Sequence, residues 1–176
     1  MESITLFISQ KLKLKVNSEK RAVARPWERK FLGFSFTAKE PQRRRIAPKS
    51  VERFKGRVRE ITRRTRGASL QGMVNELTVY LRGWHGYFSL CQTPTVLEDL
   101  DSWIRRRLRS VVWKQWKVCR TRYAELRKRG VNALLAGQTA GSSHGPWRLS
   151  QSPAMCVAFP KAFFDQIGLF RLAASR

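Results

Sequence analysis

The side chains best suited to chemistry with a ligand in this sequence are basic. Residues 102–130 carry eleven lysines and arginines against one acid, Glu125, together with three tryptophans and a tyrosine. Like charges four residues apart on a helix repel one another by roughly 0.2–0.5 kcal/mol. A helical stretch of this composition is therefore expected to bind something negatively charged.

The positive charge extends over the whole chain. Among 176 residues, 36 lysines and arginines stand against 12 acids, so the net charge is +24. A field of this sign and size indicates nucleic acid or an anionic membrane as the partner. No apolar segment approaches the ~20 residues of a membrane-spanning helix, and the apolar first ten residues lack the basic start and cleavage site of a signal peptide. We therefore expect a cytoplasmic protein that binds nucleic acid and no membrane.

Side chains for metal or nucleophilic chemistry are few and scattered. Cys91, Cys119 and Cys156 lie far apart, and His85 and His144 show no spacing typical of a zinc site. Without a signal peptide these cysteines are expected to be reduced, and we interpret them as small core residues. The sequence predicts no metal, no other cofactor and no small-molecule substrate.

The first 49 residues predict a short helix, two strands and a linker. Apolar side chains follow helical spacing between residues 4 and 12, and they alternate with lysines in a strand pattern over residues 12–17. Residues 30–37 form the second strand candidate, and Pro26 argues for a loop between the two strands. Residues 41–49, a basic run with two prolines, are predicted to be a linker.

Three long helices and a shorter one are predicted after the linker. Ser50 is the candidate N-cap of the first, which Gly67 ends, and Ser69 is the candidate N-cap of the second. The third is followed by a Gly- and Ser-rich loop over residues 136–150. The shorter terminal helix is predicted over residues 152–168.

The third predicted helix contains the basic stretch. It begins at Thr93 and runs to Gly130, and we interpret Asp99 and Asp101 as acids that favour its positive N-terminal end. At about 100° per residue, apolar and basic side chains fall on opposite faces. The apolar face consists of Leu97, Leu100, Ile104, Leu108 and Val111, and the opposite face of Arg106, Arg109, Trp113 and Lys117. We expect the second face to bind a partner; in the alternative interpretation its arginines are merely solvated and its tryptophan is buried against another helix.

Arginine predominates over lysine in these helices. Its planar guanidinium binds phosphate oxygens in pairs and stacks on exposed bases, which suits RNA loops and bulges. A ribosomal protein would show the same pattern, so the pattern indicates RNA without indicating which RNA. The predicted RNA-binding residues are Arg53, Lys55, Arg57, Arg63, Arg64, Arg105, Arg106, Arg107, Arg109, Trp113, Lys117, Arg120 and Arg122.

Five segments, in order along the chain, resemble the C-terminal part of a bacterial group II intron reverse transcriptase/maturase. They are KFLGFSFT, RFKGRVREITRRTRG, YLRGWHGYF, LDSWIRRRLRSVVWKQWK and GPWRLSQSP. The resemblance extends from about Ile4 to Leu172. It implies that residues 1–40 are a remnant of the reverse transcriptase palm, that residues 41–49 are a basic linker, and that residues 50–176 are the helical maturase domain. That domain, the thumb or domain X, binds and folds the intron RNA in this family.

The resemblance also implies what this chain lacks. The family's polymerase site carries a Tyr-Ala-Asp-Asp turn and another aspartate, and nucleotidyl transfer on two metal ions needs such clustered carboxylates. This chain has no aspartate before Asp99. We therefore expect a truncated member without polymerase activity. Its fold should be mainly α, a helical bundle preceded by a short helix and a β-hairpin remnant that exposes Phe31, Phe34 or Phe36.

Three functions are compatible with these observations. The chain is a maturase-type splicing cofactor that binds structured group II intron RNA. Alternatively, it is the C-terminal part of a split RNA-directed DNA polymerase, active only with a separate N-terminal chain. In the third interpretation it is a non-functional remnant of a mobile intron.

Overall fold

Helices make up most of the structure, a computed structural model that describes residues 2–15 and 24–173. Strands β1 (Phe34–Phe36) and β2 (Arg44–Ile46) form an antiparallel pair. The predicted mainly α class is confirmed. The helices are α1 (Glu2–Gln10), α2 (Pro48–Ile61), α3 (Leu70–Tyr87), α4 (Pro94–Gln115), α5 (Cys119–Lys128), α6 (Ala133–Ala140), α7 (Pro146–Leu149), α8 (Pro153–Ala158) and α9 (Lys161–Gln166).

The core lies between α2, α3 and α4, as the three predicted long helices require. Each contributes apolar side chains at intervals of three or four residues, which place them on one face. Full burial of one such side chain stabilises the fold by roughly 1.5–3 kcal/mol. The buried positions include Phe54, Val58, Ile61, Met73, Leu77, Leu81, Leu100, Ile104, Leu108 and Val111.

Two helix starts test the predicted N-caps. Ser69 caps α3 as predicted, because its side chain accepts a hydrogen bond from the Gly72 amide at 3.1 Å. The prediction for Ser50 was wrong. Helix α2 begins two residues earlier at Pro48, whose fixed φ and missing N–H suit a first helical position. The Ser50 hydroxyl instead donates to the carbonyl of Gly33 at 3.2 Å.

The third predicted helix is interrupted, so its prediction as one element up to Gly130 was wrong. Helix α4 ends at Gln115, and the chain turns at Trp116 before α5 begins at Cys119. The side chain of Trp116 is buried, and its ring lies 5.7 Å from that of Phe159, which follows α8. Gly130, with φ +83°, follows the end of α5.

The C-terminal third contains more helix than predicted. Helices α6 and α7 occupy part of the predicted loop over residues 136–150, and the side chain of Asn132 caps α6 by accepting from the Leu135 amide at 2.8 Å. The single helix predicted over residues 152–168 is divided into α8 and α9. The division falls at Pro160, which has no N–H for a continuous helix.

The β-hairpin has a different second strand from the one predicted. Residues 12–15 are not in a strand, and the rest of that candidate lies outside the described residues. Instead β1 pairs with β2, inside the predicted linker, and Phe34 lies opposite Ile46. Gln92 binds the other edge of β2, because its backbone amide donates to the carbonyl of Arg44 at 2.8 Å.

The hairpin packs on the end of α3. The ring of Phe34 lies 5.1 Å from that of Phe88, and the hydroxyl of Tyr87 donates to the carbonyl of Leu32 at 3.0 Å. Gly33 has φ +79°, and a Cβ there would lie 3.2 Å from the Phe88 ring, so the contact favours glycine. The predicted exposure holds for Phe31, which is 75% exposed, but Phe34 is partly buried.

Asp101 does not act as the predicted helix-terminal acid. Its side chain is buried, and its two carboxylate oxygens accept hydrogen bonds from the backbone amides of Leu172 and Ala173, both at 3.0 Å. The carboxylate thus holds the C-terminal segment against α4.

Asp101→Asn should lower the free energy of unfolding by about 1–3 kcal/mol, because an amide group replaces one of two acceptors that face buried donors. The matched control is Asp99→Asn, an exposed acid on the same helix, which should change stability by less than about 0.5 kcal/mol. Urea denaturation measures both variants. Equal changes would contradict the role assigned to Asp101.

Candidate RNA interface

Few of the basic side chains are neutralised within the protein. Arg57 pairs with Glu60 at 2.8 Å and approaches Glu76 at 3.9 Å, while Arg66 pairs with Glu76 at 2.6 Å. The hydrogen bond to Glu60 raises the pKa of Arg57. The predicted RNA-binding Arg57 is therefore already occupied by acids. The remaining pairs among the described residues are Arg129 with Glu125 and Arg171 with Asp165.

The prediction that Trp113 lies on an outward face of α4 was wrong. This side chain is only 1% exposed, and its ring lies 6.2 Å from that of Trp116. The guanidinium of Arg122, in α5, lies 4.9 Å from the Trp113 ring centroid. The tryptophan therefore belongs to the core and is unavailable for stacking on a base.

Arg109 also lies inward rather than on a free surface. Its Nε donates to the carbonyl of Phe159 at 3.1 Å, and its Cζ lies 5.8 Å from the Phe164 ring centroid. Burial lowers the pKa of Arg109. Because the Phe159 carbonyl lies at the C-terminal end of α8, this arginine joins α4 to α8.

Arg106 joins α4 to α7. Its Cζ lies 3.9 Å from the centroid of the Trp147 ring, and its Nη2 donates to the Trp147 carbonyl at 3.3 Å. Cation–π contacts of this kind contribute ~0.5–2 kcal/mol. The position predicted to bind phosphate thus anchors the tryptophan of a neighbouring helix.

The turn between α4 and α5 and the start of α5 place two predicted side chains in solvent. The side chains of Lys117 and Arg120 are exposed, and neither has a hydrogen-bonding or ionic partner among the described residues. Arg122 differs, because its Nε donates to the carbonyl of Trp116 at 2.8 Å and its Nη2 to the Lys117 carbonyl at 3.3 Å. It closes the end of α4, and the other two remain available to a ligand.

The predicted basic residues of α2 and the segment after it are mostly accessible. Arg53, Arg63 and Arg64 are exposed and form no ion pair within the described residues. Lys55 is half-buried beside Trp103 of α4. Arg105 is half-buried on α4. The structure thus leaves α2 with the freer cations, although the prediction gave most weight to α4.

Sequence reasoning missed Trp103, whose ring meets Lys55, Arg59 and Arg107. Trp103 lies one turn before Arg107, and its ring centroid lies 5.6 Å from the Cζ of Arg59 and 5.7 Å from that of Arg107. The only available signal was spacing, since Lys55 with Arg59, and Trp103 with Arg107, are four residues apart. Which face of α2 meets α4 could not be read from either helix alone.

Metal ligands are not brought together in the part of the chain that is described. Residues 2–15 and 24–173 contain no group of three or more His, Cys, Asp and Glu side chains that could hold an ion. The interpretation of the cysteines as core residues was wrong for Cys119 and Cys156, which are exposed, whereas Cys91 is half-buried. No described helix is both long and apolar enough to cross a membrane.

Trp113→Ala should lower the free energy of unfolding by about 3–5 kcal/mol, because it removes a fully buried ring and leaves a cavity. Tyr123→Ala is the control: this ring is 39% exposed on α5, and its loss should have a much smaller effect. Thermal melting of both variants is the measurement. A Trp113 variant as stable as the wild type would show that the ring is not a core element.

Comparison with known proteins supports the resemblance over the central helices. No curated protein sequence matches the chain. Residues 51–130 match the family model described as group II intron, maturase-specific domain. This range includes most of α2 and all of α3, α4 and α5. This span contains every predicted RNA-binding residue. The central part of the chain is thus similar to the maturase-specific domain associated with group II introns.

Proposed function

We propose that this chain binds structured group II intron RNA and acts as a splicing cofactor of the maturase type. The match of residues 51–130 to the maturase-specific domain carries the proposal. The net charge of +24 supports it, because RNA phosphates supply the opposite charge that the chain itself lacks. Intron RNA is favoured over other nucleic acids by the family match alone.

The accessible cations define where the RNA is proposed to bind. Arg53, Arg63 and Arg64 belong to α2 and the segment after it, Lys117 to the turn before α5, and Arg120 to the start of α5. All five are exposed and have no acidic partner among the described residues. Arg106, Arg109 and Arg122 bind backbone carbonyls and aromatic rings, and they hold helices together instead. The proposed interface is therefore narrower than the basic composition suggests.

A salt titration tests RNA binding at this interface. Each phosphate neutralised contributes roughly −0.7 to −0.9 to the slope of log K against log salt. The double variant Lys117→Gln/Arg120→Gln should flatten the slope for intron RNA by about 1.4–1.8.

The matched control for this titration is Arg82→Gln/Lys161→Gln. It removes the same charge from α3 and α9, which carry none of the proposed contacts. Its slope should stay close to that of the wild type. Equal flattening in both double variants would assign the effect to net charge rather than to the turn. A wild type that binds intron RNA no better than an unrelated structured RNA would contradict the proposed function itself.

A second candidate function is the C-terminal part of a split polymerase. Helix α1 favours it, because Ile4, Leu6 and Phe7 are 61%, 56% and 56% exposed. Exposed apolar side chains grouped on one short helix are suited to contact with another protein surface. A palm-containing chain would supply that surface together with the missing carboxylates.

We expect no polymerase activity from this chain by itself. It has no aspartate before Asp99, and Asp101 is engaged with backbone amides. Primer extension with template, primer and Mg²⁺ should give no incorporation. Activity that appears only after addition of a palm-containing chain would favour the second candidate. Incorporation by the chain alone that survives substitution of both aspartates would contradict the expectation.

A further inference from the structure

Three basic side chains of α2 and α4 surround one tryptophan, and a fourth, in the segment between α2 and α3, lies near one of them. The Trp103 ring centroid lies 5.8 Å from the Nζ of Lys55, 5.6 Å from the Cζ of Arg59 and 5.7 Å from the Cζ of Arg107. Arg64 is close enough to act electrostatically on Arg107. We call these five residues the Trp103 cluster.

The charges of the Trp103 cluster are close together and uncompensated. None of its four cations forms an ion pair within the described residues. Burial lowers the pKa of Arg107, and the positive charges of Arg64 and Arg59 lower it further. Three charged groups within 6 Å of one ring centroid lie well inside the range over which salt fails to screen them fully. Without a ligand, this arrangement is electrostatically unfavourable.

Arg107 is fixed in one orientation by Thr62. Its Nε donates to the Thr62 hydroxyl at 2.9 Å and its Nη2 to the Thr62 carbonyl at 3.3 Å. The same hydroxyl is buried and donates to the carbonyl of Val58 at 2.6 Å. The Nη1 group makes no hydrogen bond within the described residues. A guanidinium held in this way binds an oxyanion without losing further side-chain freedom.

We infer that the Trp103 cluster is a preformed site for the backbone phosphates of an RNA strand that crosses from α2 to α4. Arg107 offers its unused Nη1 to one phosphate, and Arg59, Arg64 and Lys55 neutralise that phosphate and its neighbours. Trp103 holds the cations through its ring face and does not stack on a base. This inference rests on the proposed function, because it names the part of the chain that contacts the RNA backbone.

Two substitutions separate charge from geometry at this site. Arg59→Gln/Arg107→Gln removes two charges and should flatten the salt slope for a short oligouridylate by about 1.4. Arg107→Lys keeps the charge but loses the fork and its bonds to Thr62. It should therefore weaken binding roughly tenfold while leaving the slope nearly unchanged.

The control Arg82→Gln/Lys161→Gln should keep the wild-type slope. A purely structural role of the cluster predicts a different pattern, in which Arg59→Gln loses its contact with Trp103 and melts at a lower temperature. We expect the reverse at low salt, because the substitution removes repulsion from Arg107. A lower melting temperature together with an unchanged salt slope would overturn the inference.

Two further experiments identify the ligand of the Trp103 cluster, one with inorganic phosphate and one with intron RNA. Inorganic phosphate, compared with chloride at equal ionic strength, should raise the melting temperature less than oligouridylate at the same phosphate concentration. Equal effects would assign the site to free phosphate and overturn the inference.

Binding measurements with intron RNA separate this inference from the proposed function. If the wild type prefers intron RNA but the Arg59/Arg107 double substitution leaves the salt slope unchanged, only the site is overturned. If the wild type shows no preference for intron RNA but the double substitution flattens the slope for oligouridylate, only the proposed function is overturned.

Discussion

Arginine side chains packed on aromatic rings join α4 and α5 to each other and to the helices that follow them. Arg106 lies on Trp147, Arg122 on Trp113 and Arg129 on Phe159, at 3.9, 4.9 and 4.9 Å from the ring centroids. All three guanidinium groups also donate to backbone carbonyls, which satisfies part of their hydrogen-bonding capacity, although the buried Nε of Arg106 has no hydrogen-bond partner among the described residues. A chain with so many cations can therefore bury part of its charge within its own fold.

The basic residues fall into two sets, those that bind other parts of the fold and those that extend into solvent. Arg109 and Arg122 join elements of the fold, since each donates to a carbonyl at the end of another helix or turn. Arg53 and Lys117 extend into solvent without such a partner among the described residues. The Trp103 cluster belongs to both sets. Its Arg107 is held by Thr62, yet neither Arg107 nor the cations around it form an ion pair within the described residues.

The sequence predicted those features that depend on local pattern. The apolar face of α4 and the Ser69 cap were predicted correctly, because they require only neighbours within a few helical turns. The failures involve distant partners. Trp113 is buried next to Trp116 and Arg122, which follow the end of α4, and the second strand lies in a basic linker because Ile46 reaches Phe34 across eleven intervening residues. A helical wheel shows which side chains share a face, but not which face another helix covers.

The contacts of α4 extend past the residues that match the maturase-specific domain. Arg109 binds the carbonyl of Phe159, and the carboxylate of Asp101 binds the amides of Leu172 and Ala173, although the match ends at residue 130. Since α4 also contributes Trp103 and Arg107, the orientation of the proposed phosphate site depends on the C-terminal helices that pack on its other side. Residues 131–173 thus help to orient the proposed RNA contact without having to touch RNA themselves, because their backbone groups bind side chains of the helix that carries it.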